Sequence, residues 1–270
     1  MLHRSLRHGV CRLLLWALLA CVWPAAIAPA AAAECSRLVA SGNPEYPPYL
    51  WRDPADPGHL IGANAELMKR LSAEIGLLIE VRYIGSWARV QEEMKGGRID
   101  LIAGAFLTTP RLEYMDYFLA TIATTRSVVI TAQGSKVHFG KWSDLAGYRG
   151  LTVINNSFGE EFDRYAAEHL KIAEVGKLEN ALQMLAGKRA DYLIYEDAPA
   201  RAFAAQANIS GLTEAPEAIS NENLYLTLSH RSPCNTPTLR GKIAKAMQKL
   251  AAEKVMEALI AEAIEAWRKE

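Results

Sequence analysis

The sequence predicts an α/β fold in two similar lobes, and three observations carry that expectation. Apolar strands alternate with helical stretches of ten or so residues along the chain. One unit is built twice: Gly96-Gly97-Arg98-Ile99-Asp100 leads into Leu101-Ile102-Ala103, and Gly187-Lys188-Arg189-Ala190-Asp191 leads into Tyr192-Leu193-Ile194. In each copy a Gly, an Arg two places on and an Asp two further precede an apolar strand. The first copy runs on to Arg111 and the second to Glu196 and Asp197. Opposite charges after two like units suit a small zwitterion held between lobes. Length is the third observation, since two lobes of about 100 residues each are ordinary domain sizes.

The chain has 270 residues, half of them hydrophobic and 22% charged, a globular composition. Its first 33 residues stand apart. Arg4, Arg7 and Arg12 form a basic start, Leu13 to Val22 an apolar core, and Ala31-Ala32-Ala33 a small-residue cleavage site before Glu34. This is a secretory signal peptide, and Pro24 and Pro29 make it a poor permanent span. A competing signal, Leu18-Leu19-Ala20-Cys21, resembles a bacterial lipoprotein motif with lipid on Cys21, although Leu19 is uncommon at its place there. Cleavage leaves 237 residues with 27 basic and 30 acidic side chains, a net charge of −3. That balance gives no reason to expect nucleic acid or an anionic membrane as partner. Cys35 and Cys234 remain, and an even pair in an exported chain favours a disulfide over two free thiols. The alternative is a terminal thiol at Cys35 and a loop thiol at Cys234.

Arg37 to Ser41 reads as a first strand, and the proline-rich stretch from Gly42 to Tyr49 as an irregular loop. Leu67, Leu71 and Ile75 form one stripe of a helix from Ala63 to Ile75, stopped by Gly76. Ile79, Val81 and Tyr83 alternate as a strand, and Trp87 to Lys95 is a second helix ending at Gly-Gly. A strand starts at Ile99, and Asp116 to Thr124 is a crossing segment. A new strand begins over Ser127 to Thr131, and another lies at Leu151 to Ile154. Helices follow at Glu160 to about Leu170 and at Asn180 to Leu185, then a strand from Leu224 to Ser229. The last 30 or so residues, rich in Ala, Glu, Lys and Leu, are helical.

Several motifs now stand in order. They are Asn43-Pro44-Glu45-Tyr46-Pro47-Pro48-Tyr49, Trp87 placed 13 residues before Asp100, the Gly-x-Arg-Ile-Asp turn, Thr108 to Asp116, and Asp144-Leu145-x-Gly147 before a strand. The ordered set resembles bacterial periplasmic solute-binding proteins of the polar amino-acid type (family 3), over nearly all of the mature chain. The resemblance implies a two-lobed, type II periplasmic-binding-protein-like fold with two crossing hinge strands. Residues 34–120 and 222–270 would form lobe 1 and 121–221 lobe 2, with hinges near 119–124 and 219–224. Both cysteines would then fall in lobe 1. The expected role is capture of a small amino acid or related carboxylate or amine by a periplasmic monomer, without cofactor or metal. The expected partner is an ABC permease or a membrane sensor.

The same resemblance implies a site. Arg111 would hold the α-carboxylate, because a guanidinium offers two parallel donors matched to it. Backbone N–H groups after Gly104 would help, and Thr108 would shape the loop. Phe106 departs from the family, which commonly has Ser or Thr there. Ser157, before a helix whose free N–H groups suit an anion, would contribute from lobe 2. Asn156 replaces a family glycine in that turn, and Asn tolerates left-handed backbone. Ser157 or Asn156 as a plain helix cap is the alternative. Glu196, five residues after Asp191, or its neighbour Asp197 would take the ligand's ammonium; only one can face the cleft while the strand continues. Tyr46 and Trp87 would wall the cleft.

Enzyme chemistry finds little support. The six histidines (His3, His8, His59, His138, His169, His230) show no metal spacing, and Asn155 to Gly159 is not a Gly-x-Ser-x-Gly nucleophile turn. A cyclohexadienyl-dehydratase-like variant of the fold would use Glu196 as a general acid, since a buried carboxyl can keep its proton near neutral pH.

Overall fold

The computed structural model describes residues 35–270. The expected signal peptide, 1–33, and Cys21 lie outside the described residues. The chain starts with β1 (Arg37–Ser41). The proline-rich stretch then departs from expectation. It holds β2 (Glu45–Tyr46), antiparallel to β3 (Leu50–Arg52), which pairs with β4 (Leu60–Ile61). Two residues between Pro44 and Pro47 are free to join a ladder even where the prolines are not.

Helix α1 (Ala63–Ile75) buries Leu67, Met68, Leu71 and Ile75 on one stripe. Gly76 closes it in left-handed backbone (φ 66°), its N–H returning to Ser72 O. Next come β5 (Leu78–Val81), α2 (Trp87–Lys95) and β6 (Leu101–Phe106), the last starting two residues later than Ile99. After the short α3 (Thr109–Leu112) runs β7 (Met115–Ala132), a single strand of 18 residues. Sequence reasoning divided it into a crossing and a new strand. A 3-10 turn (Trp142–Leu145) precedes β8 (Arg149–Val153), α4 (Glu160–His169), β9 (Lys171–Val175) and α5 (Leu178–Ala186). The chain ends with β10 (Tyr192–Glu196), α6 (Asp197–Gln206), β11 (Leu212–Ser229), α7 (Pro237–Ala252) and α8 (Val255–Trp267).

These strands form one eight-stranded sheet in the order β5-β1-β6-β11-β7-β10-β8-β9, and the order is palindromic in kind. On one side β1 runs parallel to β5 and β6, and β6 meets β11 antiparallel. On the other, β8 runs parallel to β9 and β10, and β10 meets β7 antiparallel. The long antiparallel pair β7–β11 belongs to both halves. This is the two-lobed α/β fold with two crossing strands.

The repeated Gly-x-Arg-x-Asp unit does the same job in each half. The N–H of Asp100 donates to Val39 O at 2.8 Å, and its Oδ2 accepts the N–H of Val39 at 2.7 Å. The N–H of Asp191 donates to Arg149 O at 2.8 Å, and its Oδ2 accepts the N–H of Arg149 at 2.8 Å. In both, the aspartate clamps the start of its own strand to the first strand of its half. The left-handed residue before the Arg is Gly97 in one copy and Lys188 in the other.

Cys35 and Cys234 are joined in a disulfide with their Cα atoms 5.3 Å apart. It ties the residue ahead of β1 to the loop between β11 and α7, closing a sequence separation of 199. Among the described residues no helix is long and apolar enough to cross a membrane.

Candidate functional site

The site lies where loops from both halves meet over the β7–β11 crossing. Strand β6 delivers Ala103 to Phe106 and α3 delivers Arg111; the loop after β8 carries Asn155-Asn156 and β10 ends at Glu196. Together with Tyr46, Asn64 and Trp87 they enclose a cavity of about 20 Å³, room for a single water. Six of the expected residues line it: Tyr46, Trp87, Gly104, Phe106, Arg111 and Glu196.

Arg111 is 6% exposed. Its Nη1 donates to Phe106 O at 3.0 Å and its Nη2 to Asn155 O at 3.5 Å, while its Cζ stands 5.4 Å from the Trp87 ring centroid. The Trp87 indole N–H and the Gln91 side-chain amide donate to the same Asn155 oxygen at 3.2 and 3.1 Å. Three side chains of the first half thus converge on one carbonyl of the second. The two halves also meet at Glu160, whose Oε2 accepts from the N–H and hydroxyl of Thr109 at 3.1 and 2.7 Å. At the far side Asn43 Nδ2 donates to Tyr195 OH at 3.0 Å, and Leu178 N to Glu45 Oε2 at 2.9 Å. The conformation is closed.

Glu196, rather than Asp197, faces the cavity. Glu196 is 1% exposed, and burial pushes its carboxyl up to about 7, against the opposing pull of Asn156 and Arg111. Asp197 points the other way: it opens α6 and pairs with Arg201 at 3.0 Å and Arg126 at 3.8 Å. The strand ends there, yet the alternation of faces still holds.

The structure does not bring Ser157 to the cavity either. Its hydroxyl donates to Asp163 Oδ2, and Asp163 Oδ1 accepts the N–H of Phe158 at 2.9 Å. That pairing builds the turn into α4, whose N-cap is Gly159, so neither Ser157 nor Asn156 caps the helix. Ser157 instead lines an outer, open pocket of about 790 Å³, reached past Arg111, which borders both spaces. The left-handed residue of the turn is Asn155 (φ 59°), not Asn156 as the sequence suggested. Asn155 thereby aims its carbonyl across the cleft and leaves the Asn156 side chain to line the cavity.

Sequence reasoning missed Asn64 and Gln91, and named Asn156 only as a turn residue. Asn64 sits three residues before Leu67 on the buried stripe of α1, and an amide on an apolar stripe was the available signal. Its Nδ2 donates to Ala103 O at 2.6 Å. The geometry requires Gly104, at φ 115°: a Cβ there would stand 2.8 Å from Asn64 Nδ2. Around the cavity, among the described residues, four buried polar atoms have no hydrogen-bond partner: Tyr46 OH, Asn64 Oδ1, Asn156 Nδ2 and Glu196 Oε2. Buried polar atoms are nearly always paired, so this cluster marks the polar groups that a water or an entering ligand has to satisfy. No group of His, Cys, Asp and Glu among the described residues could hold a metal ion.

The family model for bacterial extracellular solute-binding proteins, family 3, matches residues 38–265, and the chain belongs to that family. A search of curated proteins finds no match. Solved structures share the fold. One is a histidine kinase sensor domain with similarity to periplasmic binding proteins (TM-score 0.72, 19% identity, 84% of this chain and 95% of that one). A second is an amino acid ABC transporter substrate-binding protein from Streptococcus pneumoniae bound to L-arginine (TM-score 0.71, 20% identity, 86% and 96%). A third is a mutant of ArgBP from T. maritima (TM-score 0.69, 19% identity, 87% and 96%).

Proposed function

Starting from that membership, we propose that this chain is a periplasmic solute-binding protein that captures a small amino acid, or a related carboxylate or amine, and delivers it to an ABC importer. One observation carries the reading. Arg111 and Glu196, of opposite charge type, come from opposite halves of the molecule to one buried cavity. A ligand carboxylate on Arg111 replaces its long 3.5 Å contact to Asn155 with a paired, charge-assisted one. The ligand's ammonium meets Glu196. The described conformation is closed down to about 20 Å³, so a ligand enters with the halves parted. Both contacts exist together only when the halves close around it, and that difference in affinity favours the ligand-filled closed form.

Lobe 1 comprises residues 34–120 and 222–270, lobe 2 residues 121–221, and the hinge runs through 119–124 and 219–224. In support, β7 and β11 pair through Thr124 and Asn223 in this region, and their register shifts between Leu224 and Leu226. Irregular ladder is where a strand pair bends with least loss. The disulfide lies within lobe 1 and leaves the hinge free.

The test is thermal denaturation of stripped, refolded mature protein with the amino acids, ornithine, polyamines, short dicarboxylates and aromatic acids. A ligand at 100 times its Kd adds about 2.7 kcal/mol, roughly 5–10 °C at this size. One amino-acid class should give that shift, and Arg111→Ala should abolish it. No shift from any amino acid would sink the reading.

A sensing role is the second reading, supported by the sensor-domain structure at TM-score 0.72. The cleft would work alike, but co-purification from membranes would bring down a receptor instead of a permease. A dehydratase-like reading would use the protonated Glu196 as acid, and turnover of prephenate or arogenate would establish it.

A further inference from the structure

The four unpartnered atoms say more than that something binds. Asn64 is 1% exposed, and its amide cannot turn over freely, because Nδ2 is committed to Ala103 O at 2.6 Å. Its backbone N–H is fixed as well, donating to Tyr49 O at 2.8 Å. What remains is Oδ1, a fixed acceptor with no donor, lining the same cavity as Glu196 Oε2. Two unpaired acceptors bordering one cavity from its two halves suit a group with two or more N–H donors. Among the described residues lining the cavity, only Arg111 and Glu196 are ionisable as acid or strong base. A zwitterion's two charges use both. The rest of the wall is uncharged, with apolar Leu50, Ala105, Phe106 and Leu224 beside neutral polar side chains such as Asn43 and Asn156. A cationic ligand side chain would be buried there with no acid left to pair it, and that is costly. Of the acids in the outer pocket beyond Arg111, Asp163 is engaged with Ser157 and Phe158 and Glu160 with Thr109, and Glu113 is exposed to solvent outside the buried cavity. Asp197 faces away, paired with Arg201.

We propose that Asn64 is a ligand-binding residue, accepting an N–H of the ligand's ammonium beside Glu196, and that the cleft selects amino acids with short uncharged side chains against arginine and lysine. This rests on the amino-acid reading above and deepens it.

The test is calorimetry on stripped, refolded protein. The probes are L-alanine, L-serine and L-valine, L-arginine and L-lysine, and the 2-hydroxy acid matching the best neutral amino acid. Wild type should prefer a neutral amino acid over arginine and lysine by at least about tenfold. Asn64→Ala, checked for a cooperative melt, should weaken that amino acid about tenfold or more, as expected for a lost bond to a charged donor. The hydroxy acid, which has no ammonium, should weaken by less than about threefold. A purely structural role would weaken both probes equally and overturn the assignment. Should Asn64→Ala not fold, the wild-type preference still decides: arginine or lysine bound as tightly as any neutral amino acid overturns the selectivity while sparing the amino-acid reading. Failure of every amino acid to bind overturns both.

Discussion

The indole N–H of Trp87 donates to the carbonyl oxygen of Asn155 at 3.2 Å, joining the start of α2 in one half to the loop after β8 in the other. Gln91 and Arg111 use the same acceptor. Closure is therefore partly written into the protein's own contacts, and ligand binding adds to a bias already present.

Trp87→Phe keeps a ring near Arg111 but removes the donor. At about 1 kcal/mol per hydrogen bond, the unliganded closed population should fall several-fold, and further with Gln91→Met. Small-angle scattering of unliganded protein should show a larger radius of gyration in the double variant, with the saturated forms alike. Identical unliganded profiles would mean that these bonds do not bias closure.

Glu196 makes stability and affinity depend on pH in opposite senses. Its folded value of about 7 exceeds the ordinary 4.5, because burial disfavours the anion. Of the groups that face or neighbour it, Asp197 opposes its charge and Arg111 favours it, while Tyr46 and Tyr195 lie near it as neutral phenols, their own hydroxyls pushed up by burial and by Glu196. The folded state thus holds this proton more tightly than the unfolded one. Its contribution is fully present below pH 4.5 and is lost as pH rises through about 7, amounting to about 3 kcal/mol. Unliganded wild type should melt higher at pH 5.5 than at pH 8 relative to Glu196→Gln, in which this dependence disappears. Binding an ammonium requires the anion, so affinity should be about 30-fold weaker at pH 5.5 than at pH 8, with proton release between. A flat affinity profile would remove Glu196 from the ammonium site.

Phe106 fills the place where the resemblance leads to the expectation of a hydroxyl. Phe106→Ser should lower stability by about 3 kcal/mol, the usual loss for a buried phenyl ring. It should also enlarge the cavity and add a donor near Arg111. Urea denaturation should register the first effect. Calorimetry should show amino-acid affinity holding or rising despite it, and a fall in affinity would make Phe106 part of the ligand's own contact surface.

The residues that ended elements cleanly were the ones legible in the sequence. Helices α1 and α2 have the bounds expected, because an apolar stripe runs up to Gly76 in one and to Gly96 in the other. The long strands were not legible as units. Between Ala123 and Arg126 the burial alternation of β7 falters where it crosses from one half to the other, and β11 shifts register four times. Helix α6 went unread: Pro199 is allowed in a first turn but reads as a breaker, and only Pro199 and Ala200 are buried. At the site, the charged pair Arg111 and Glu196 could be found because each follows one copy of the repeated strand unit, Glu196 at the end of its strand and Arg111 in the short helix just beyond. Asn64 announced itself only as an amide on an apolar stripe, and Asn156 only as a turn residue; their roles depend on which amide atom a distant carbonyl or carboxyl engages, which no sequence pattern gives. The repeated aspartate was found for one reason and turns out to serve another. Asp100→Ala should cost about 2–3 kcal/mol by freeing the N–H of Val39 and the hydroxyl of Ser232, both buried or nearly so. Asp191→Ala, at a more exposed strand start, should cost less, and the order would invert only if the clamps were unequal in the other sense.

The disulfide gives a prediction of a different kind, because its effect falls mainly on the unfolded chain. Cys35 and Cys234 close a separation of 199 residues, nearly the whole described chain. Cross-linking ends so far apart removes much of the unfolded state's freedom, about 5 kcal/mol at most in the loop-entropy account. The bond joins two segments of one half, away from the cavity residues, so it should matter for stability and little for closure. A Cys35→Ser, Cys234→Ser protein should melt well below wild type. Its affinity for any ligand found, measured well below its melting temperature, should stay within about twofold. Equal melting temperatures would mean that the unfolded chain is held compact by other contacts. A large loss of affinity in a fully folded variant would mean that the tether between β1 and the α7 loop helps to position Tyr46 and the rest of the first half's side of the cleft.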